Sequence, residues 1–286
     1  GVRQRTALEM KGKLAPHVLV MSATPIPRTM ALVLYGDLDV SVVDELPPGR
    51  KEVRTRIVSE KKRQDMYGFI QRAVEAGQQA YVVCPLVEDS EMMDAASAAQ
   101  TVQEMRKAMP DVRIELLHGR MKSEEKDRIL QGFAAHESDV LVSTTVIEVG
   151  VNVPNATIMV IEDAERFGLA QLHQLRGRVG RGDQQSWCFL MADPSERMKT
   201  MASTTDGFVI ARKDLELRGP GELMGSRQSG MLDEKILRLA SDGPLMDKVT
   251  KAVDAIFAQP KTEENRQLMV YARRMMEQRG LFVARN

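Results

Sequence analysis

The stretch VRIELLHGRMKSEEKDRILQGFAAHESDVLVSTT, residues 112–145, decides the fold. Its ends are β-branched runs of strand length, VRIELLH (112–118) and DVLVSTT (139–145), and its middle has helical periodicity over 122–136. Strand, helix, strand at that spacing predicts a parallel crossover unit. Ser123 is the expected helix cap, with Lys126 and Arg128 on the polar side. Outward from this unit the alternation continues. Further strand candidates are HVLVMS (17–22), VRTRIV (53–58), QAYVVCPL (79–86), ATIMVIE (156–162) and SWCFLM (186–191), with helical stretches at 60–76, 94–109 and 168–180. The expectation is one α/β parallel sheet over about 50–192, flanked by helices.

Leu46-Pro47-Pro48-Gly49 breaks the chain before the second strand candidate and reads as an interdomain linker. Residues 1–45 are then the remnant of a preceding domain, 46–195 the α/β domain, and 196–286 a Met-rich, charged, helical appendage broken at Leu217–Gly221 and Asp242–Pro244. The chain has 286 residues and opens Gly1-Val2-Arg3, so it reads as a piece of a longer protein. Glu88 to Asp94 carries four acids in seven residues and reads as a solvated loop.

Composition excludes several classes. Apolar residues make up 43% and charged residues 28%, a globular profile. No apolar run approaches the roughly 20 residues that cross a bilayer, so no membrane partner is expected. Forty Lys and Arg balance forty Asp and Glu, so a nucleic-acid partner has to be met by a local basic surface. Cys84 and Cys188 lie in apolar runs and read as reduced core thiols of a cytoplasmic protein. Four scattered histidines at no ligand spacing predict no metal bound by this chain.

The chemistry concentrates in QLHQLRGRVGRG, residues 171–182, where Arg176, Arg178 and Arg181 stand among three glycines. Guanidinium forks suit phosphate oxygens and glycines allow close backbone approach. A solvated basic helix face is the plainer alternative. The order Gln174, Gly177, Arg178, Gly180, Arg181 resembles motif VI of superfamily 2 helicases, and the run from Thr144 to Gly182 is similar to the RecG family of ATP-dependent DNA helicases. That resemblance implies a RecA-like (P-loop NTPase-like) helicase C-terminal domain. It gives Arg178 and Arg181 the part of arginine fingers facing the γ-phosphate across a cleft, with Gln174 on the nucleotide.

Other segments extend the resemblance. Ser22-Ala23-Thr24-Pro25 is similar to motif III, with Ser22 and Thr24 as coupling residues, although both types also cap helices. Thr144-Thr145 with Glu148-Val149-Gly150-Val151-Asn152 is similar to motif V. The two threonines would bond DNA, and Gly150 and Asn152 would lie by the nucleotide, Asn152 standing where many relatives have Asp. Leu117-His118-Gly119-Arg120-Met121 resembles motif IVa, with His118, Arg120 and Lys122 as DNA contacts or, for His118, a satisfied loop histidine. Asp206 to Gln228 looks like the translocation motif shared by RecG and the transcription-repair coupling factor Mfd, with Arg218 and Gln228 in the linking positions. Pro220 and Glu222 follow the RecG form. A simple turn with a surface arginine is the alternative there. The run ending Glu162-Asp163 mimics a magnesium-holding acidic box but follows motif V, so it is assigned no metal.

No Gly-x-x-x-x-Gly-Lys-Ser/Thr occurs in the 286 residues, and the lysine and backbone cradle for β and γ phosphates are absent with it. The resemblance therefore implies the C-terminal motor part of a RecG-type helicase, ATP- and Mg²⁺-dependent as a whole, with no cofactor tightly bound here and no turnover alone. Implied partners are branched duplex DNA (stalled forks, Holliday junctions), the N-terminal half of the same protein and, as a candidate, a single-stranded DNA-binding protein, in the bacterial cytoplasm at the nucleoid. Two other readings stay open: an Mfd-like transcription-coupled repair translocase, and a non-catalytic DNA-binding adaptor.

Overall fold

In the computed structural model, residues 50–86, 91–144, 153–218, 243–259 and 262–278 are described, with the isolated positions 19, 21, 41, 43 and 45. Six strands form one sheet: β1 (Arg54–Val58), β2 (Gln79–Cys84), β3 (Ile114–Leu117), β4 (Val140–Thr144), β5 (Ala156–Ile161) and β6 (Trp187–Met191). All pairs are parallel, in the order β1-β6-β5-β2-β4-β3. Six of the seven strand candidates are thus strands of the sheet. The seventh, at 17–22, lies outside the described residues apart from Leu19 and Met21, as do the linker at 46–49 and most of 1–45.

Eight α-helices are described: α1 (Arg63–Glu75), α2 (Glu91–Ala108), α3 (Ser123–Ala134), α4 (Leu169–Arg176), α5 (Glu196–Ser203), α6 (Gly207–Arg218), α7 (Gly243–Ala258) and α8 (Glu263–Gln278). The strands alternate between two cores because a strand's side chains point to opposite faces in turn. Ala80, Val82, Val140, Val142, Ile158, Val160 and Phe189 join Met66 and Ile70 of α1 and Val102 and Met105 of α2. On the other face Tyr81, Val83, Leu141, Met159, Ile161 and Leu190 join Phe133 of α3, Leu172 of α4, Met201 of α5 and Ile210 of α6. So α5 and α6, although they follow residue 195, share the core of the sheet. Cys84 and Cys188 are buried free thiols, each pushed up to about 12 by burial.

Three local expectations are corrected. Ser123 is the first residue of α3, not its cap. Lys122 takes that place in an extended conformation, with no side-chain cap bond. The acidic stretch 88–94 is not all loop, since α2 begins at Glu91. The stretch expected to be helical over 168–180 stops at Arg176, because Gly177 and Gly180 lie beyond it and Gly180 takes a positive φ of 73°.

Glu162, at the end of β5, is 7% exposed and meets Arg63 through two bonds of 2.7 and 2.9 Å. Burial pushes its carboxyl up against the pull of Arg63. The acidic-box mimic is therefore half of a fork-to-fork pair that ties β5 to the start of α1. Among the described residues no helix is long and apolar enough to cross a membrane. Val249, Val253 and Phe257 on α7 and Leu268, Val270 and Tyr271 on α8 are exposed.

Candidate functional site

The sequence-predicted residues fall on two opposite edges of the sheet. At the C-terminal edge, β3 and β4 run side by side with Leu117 level with Ser143. His118 therefore follows level with Thr144. The Thr144 side chain is buried, at 1% exposure, and among the described residues neither its Oγ1 nor the His118 Nδ1 has a hydrogen-bond partner. The same holds at the other edge for Gln79 Oε1, Ser138 Oγ and Ser186 Oγ, so a missing partner does not by itself mark the site. His118 and Thr144 lie where an open parallel sheet keeps its ligands. Arg120 and Lys122 are exposed at the start of α3, a basic lead into the positive end of the helix, although Glu124 and Glu125 fill its first turn. Lys126 Nζ donates to the Gly119 carbonyl at 2.5 Å and closes the loop between β3 and α3.

The other edge carries the arginines. Helix α4 starts after β5 at the C-terminal edge, where the Gly168 N–H donates to Gln171 Oε1 at 3.0 Å, and runs back to where β6 begins. Its last residue, Arg176, is 3% exposed. Nη1 donates to the carbonyls of Met201 at 2.9 Å and Thr204 at 2.8 Å, with a longer approach of 3.4 Å to Thr55 Oγ1. Nη2 lies 3.0 Å from His173 Nδ1. A guanidinium has no acceptor, so Nδ1 accepts and the imidazole proton sits on Nε2. Burial and the neighbouring Arg176 charge push His173 down to about 4. Arg176 belongs to the interior and is not available to a phosphate, so the three arginines do not act as one set.

Arg178 and Arg181 lie beyond the helix in the loop, Arg178 half-buried and Arg181 exposed, with Gln174 half-buried on the last turn of α4. Both guanidinium charges reach Tyr81 in β2, whose phenol burial pushes up to about 12 against their pull. Between them Gly180 is held closely. A Cβ there would stand 2.8 Å from Val53 Cγ2, and its carbonyl accepts from Arg50 Nε at 2.9 Å. Gly182 packs on Pro154, whose carbonyl would be 3.2 Å from an added Cβ. The lead-in segment 50–55 was invisible as part of the site, because nothing in Arg-Lys-Glu-Val-Arg-Thr announces a contact with a loop 130 residues away in the chain.

Arg218 ends α6, and its side chain lies outside the described residues. So do Ser22, Thr24, Thr145, Gly150, Asn152 and Gln228. Among the described residues there is no group of three or more His, Cys, Asp or Glu that could hold a metal ion.

A parallel sheet closed by helices on both faces, with a Gly-Arg-x-Gly-Arg loop at one edge, has the architecture of a RecA-like helicase C-terminal domain. Residues 61–183 match the helicase conserved C-terminal domain, and residues 204–283 match the C-terminal part of domain 3 of the ATP-dependent DNA helicase RecG. The chain belongs to the RecG family. It is 51% identical over 255 residues to the ATP-dependent DNA helicase RecG of Acidithiobacillus ferridurans, covering 87% of this chain and 37% of that protein. To RecG of Bacillus subtilis it is 46% identical over 273 residues, 91% of this chain and 40% of that one. A solved structure of RecG bound to a three-way DNA junction matches with a TM-score of 0.64 at 48% identity, over 78% of this chain and 30% of that one. The chain spans well under half the length of the curated relatives it matches.

Proposed function

We propose that this chain is the C-terminal motor part of a RecG-type ATP-dependent DNA helicase that acts on branched DNA, reversing stalled forks and migrating Holliday junctions in recombination and repair. Residues 1–45 would complete a first RecA-like domain, 46–195 form the second, and 196–286 carry the translocation segment, in a bacterial cytoplasmic protein at the nucleoid. The observation that supports this most is the 48% identity to a RecG seen on a three-way DNA junction. The Gly-Arg-x-Gly-Arg loop lies within the residues that match the helicase C-terminal domain.

On this reading Arg178 and Arg181 face the γ-phosphate of ATP from across a cleft whose other wall is the preceding domain. Their loop fits that work. It is braced by Gly180 against Val53 and Arg50, and its arginines, unlike Arg176, are not buried. Mg²⁺-bound ATP supplies the phosphoryl group and its leaving group. Fixed guanidinium donors at the developing charge contribute roughly 10³ to 10⁵ in rate in related NTPases. Gln174, one helical turn before Arg178, would help to orient the nucleotide. On the opposite edge the exposed Arg120 and Lys122 would attract DNA phosphates, and His118, Thr144 and Thr145 keep the DNA contacts that the resemblance gives them. Ser22, Thr24, Gly150, Asn152, Arg218 and Gln228 keep the coupling and nucleotide roles that the resemblance gives them.

Arg181→Ala in the intact enzyme should lower ATP hydrolysis by about 10³-fold while leaving junction binding intact. Equal loss of both would undo the finger assignment. The purified chain should show no DNA-stimulated ATPase, since it has no phosphate cradle; turnover that co-purifies through every step would refute this. The Pro220 and Glu222 form disfavours an Mfd-like enzyme, and pull-down of RNA polymerase would reverse that judgement.

A further inference from the structure

The lead-in segment 50–55 touches the arginine loop and its surroundings at every step. Arg50 Nε donates to the Gly180 carbonyl at 2.9 Å, and Val53 lies under Gly180. The Glu52 carbonyl accepts from Gln185 Nε2 at 2.9 Å, and its carboxylate accepts from Thr205 Oγ1 at 3.2 Å. The Arg54 N–H donates to the Ser186 carbonyl at 2.9 Å. This short segment thus binds the arginine loop, the stretch that leads from it into β6, and the turn ahead of α6. Most lead-in segments need only start their strand, and this one does more.

We propose that Arg50 is a positioning residue for phosphoryl transfer: its Nε–H fixes the Gly180 carbonyl, and with it the spacing of Arg178 and Arg181 on either side. The inference rests on the finger reading of those two arginines and goes beyond it, because Arg50 would act through the Gly180 carbonyl and not on the nucleotide. The physical case is the geometry of the loop. Gly180 sits at positive φ, where a glycine has wide freedom, so the backbone alone does not hold the two guanidinium groups at one separation. One external bond to the carbonyl between them removes that freedom, and reacting groups displaced by about 1 Å lose rate steeply.

Glutamine carries its amide nitrogen at the same chain position as the arginine Nε, without charge, while methionine matches the length with no donor. In the intact enzyme, Arg50→Met should lower kcat for ATP hydrolysis about tenfold with KM for ATP and junction binding unchanged, and Arg50→Gln should restore most of it. In this chain alone, amide exchange over residues 177–186 should be faster in Arg50→Met than in Arg50→Gln. Equal losses in the two variants with a raised KM would mean that Arg50 acts by charge on the nucleotide, and overturn the proposal. Unchanged kcat in Arg50→Met would overturn it too. Arg181→Ala measured beside them keeps the two readings apart: if it abolishes turnover while Arg50→Met does not change it, the brace fails and the fingers stand, and if it leaves turnover intact, the finger reading has failed on its own.

Discussion

The two edges of the sheet differ in what their basic residues do. At the N-terminal edge Arg176 is held by two carbonyls and a histidine, Arg50 by Gly180 and Gln185 by Glu52, although Gln79 Oε1, Ser138 Oγ and Ser186 Oγ there are buried without a partner among the described residues. At the C-terminal edge Arg120 and Lys122 stand exposed, and His118 Nδ1 and Thr144 Oγ1 are buried without a partner among the described residues. Matching fixes geometry, as a group that must not move during charge transfer requires. Leaving a buried atom unmatched costs stability, and both edges carry that cost. The contrast separates an edge whose arginine loop is braced from within from an edge whose cations face solvent.

The largest effect expected on stability tests the braced edge. Arg176→Met removes the donors of two inward-facing carbonyls and leaves His173 Nδ1 without its partner, so it should destabilise the chain by about 3 kcal/mol in urea unfolding. Arg181→Ala, on the exposed end of the same loop, should stay within about 0.5 kcal/mol. Equal effects would erase the distinction between the interior arginine and the loop arginines. Gly180→Ala comes next. The positive φ costs about 1 kcal/mol or more for any other residue, and the added Cβ meets Val53 Cγ2 at 2.8 Å. About 2 kcal/mol is expected in total. Val53→Ala in the same chain should recover part of it, since the contact is relieved and the backbone conformation is not. Full recovery, or none, would show that only one of the two causes operates.

The sheet was legible because its strands are buried on both faces and so read as unbroken apolar runs, QAYVVC and ATIMVI, separated by amphipathic stretches. Glu91 to Asp94 was misread because acids look like loop, yet they also suit the first turn of a helix, where the dipole favours them. The arginine triplet was found by residue type, but type does not tell a buried Arg176 from a half-buried Arg178. That depends on where α4 ends and on what α5 brings to it, Met201 and Thr204, 25 and 28 residues further along. Arg50 carried no local signal at all. A bond spanning 130 residues is a property of the fold.

A milder effect is set by pH on the braced edge. His173 has a folded value of about 4 against about 6.5 when unfolded, because burial disfavours the imidazolium and protonation would add a second positive charge beside Arg176. The native state therefore binds fewer protons than the unfolded chain between those values. This contribution is fully present above pH about 6.5 and is lost as pH falls toward 4. Asp139 shifts downward as well, burial being outweighed by the bonds from Arg113. Its stabilisation is lost only at the acid end, as pH falls below the unfolded carboxylate value of about 3.9. His173→Asn puts an amide oxygen near the Nδ1 position and does not titrate, so it should flatten the stability profile between about pH 4 and about 6.5. A profile unchanged by the substitution would remove His173 from the matched set.

The smallest expected change in stability is the most discriminating, because its sign depends on whether the hydroxyl has a partner. Thr144→Val keeps the shape of the side chain and the β-branching that a strand favours, and removes only the hydroxyl. If that hydroxyl had a partner in the folded chain, the substitution would destabilise by about 1 kcal/mol, as a lost internal hydrogen bond does. With no partner, the unfolded hydroxyl is hydrated and the folded one is not, so the valine chain should be as stable as the parent or up to about 1 kcal/mol more stable. In the intact enzyme the same change tests the contact that the resemblance gives Thr144: if DNA binding uncovers the buried hydroxyl, junction binding should weaken about tenfold, the value of one hydrogen bond to a charged phosphate. Leu141→Ala, three residues back on the same strand and buried in the core, should behave oppositely, lowering stability by about 3 kcal/mol and leaving the contact groups in place. A valine at 144 that destabilises the chain would mean that the hydroxyl has a partner, and one that binds the junction as tightly as threonine would remove Thr144 from the DNA contacts.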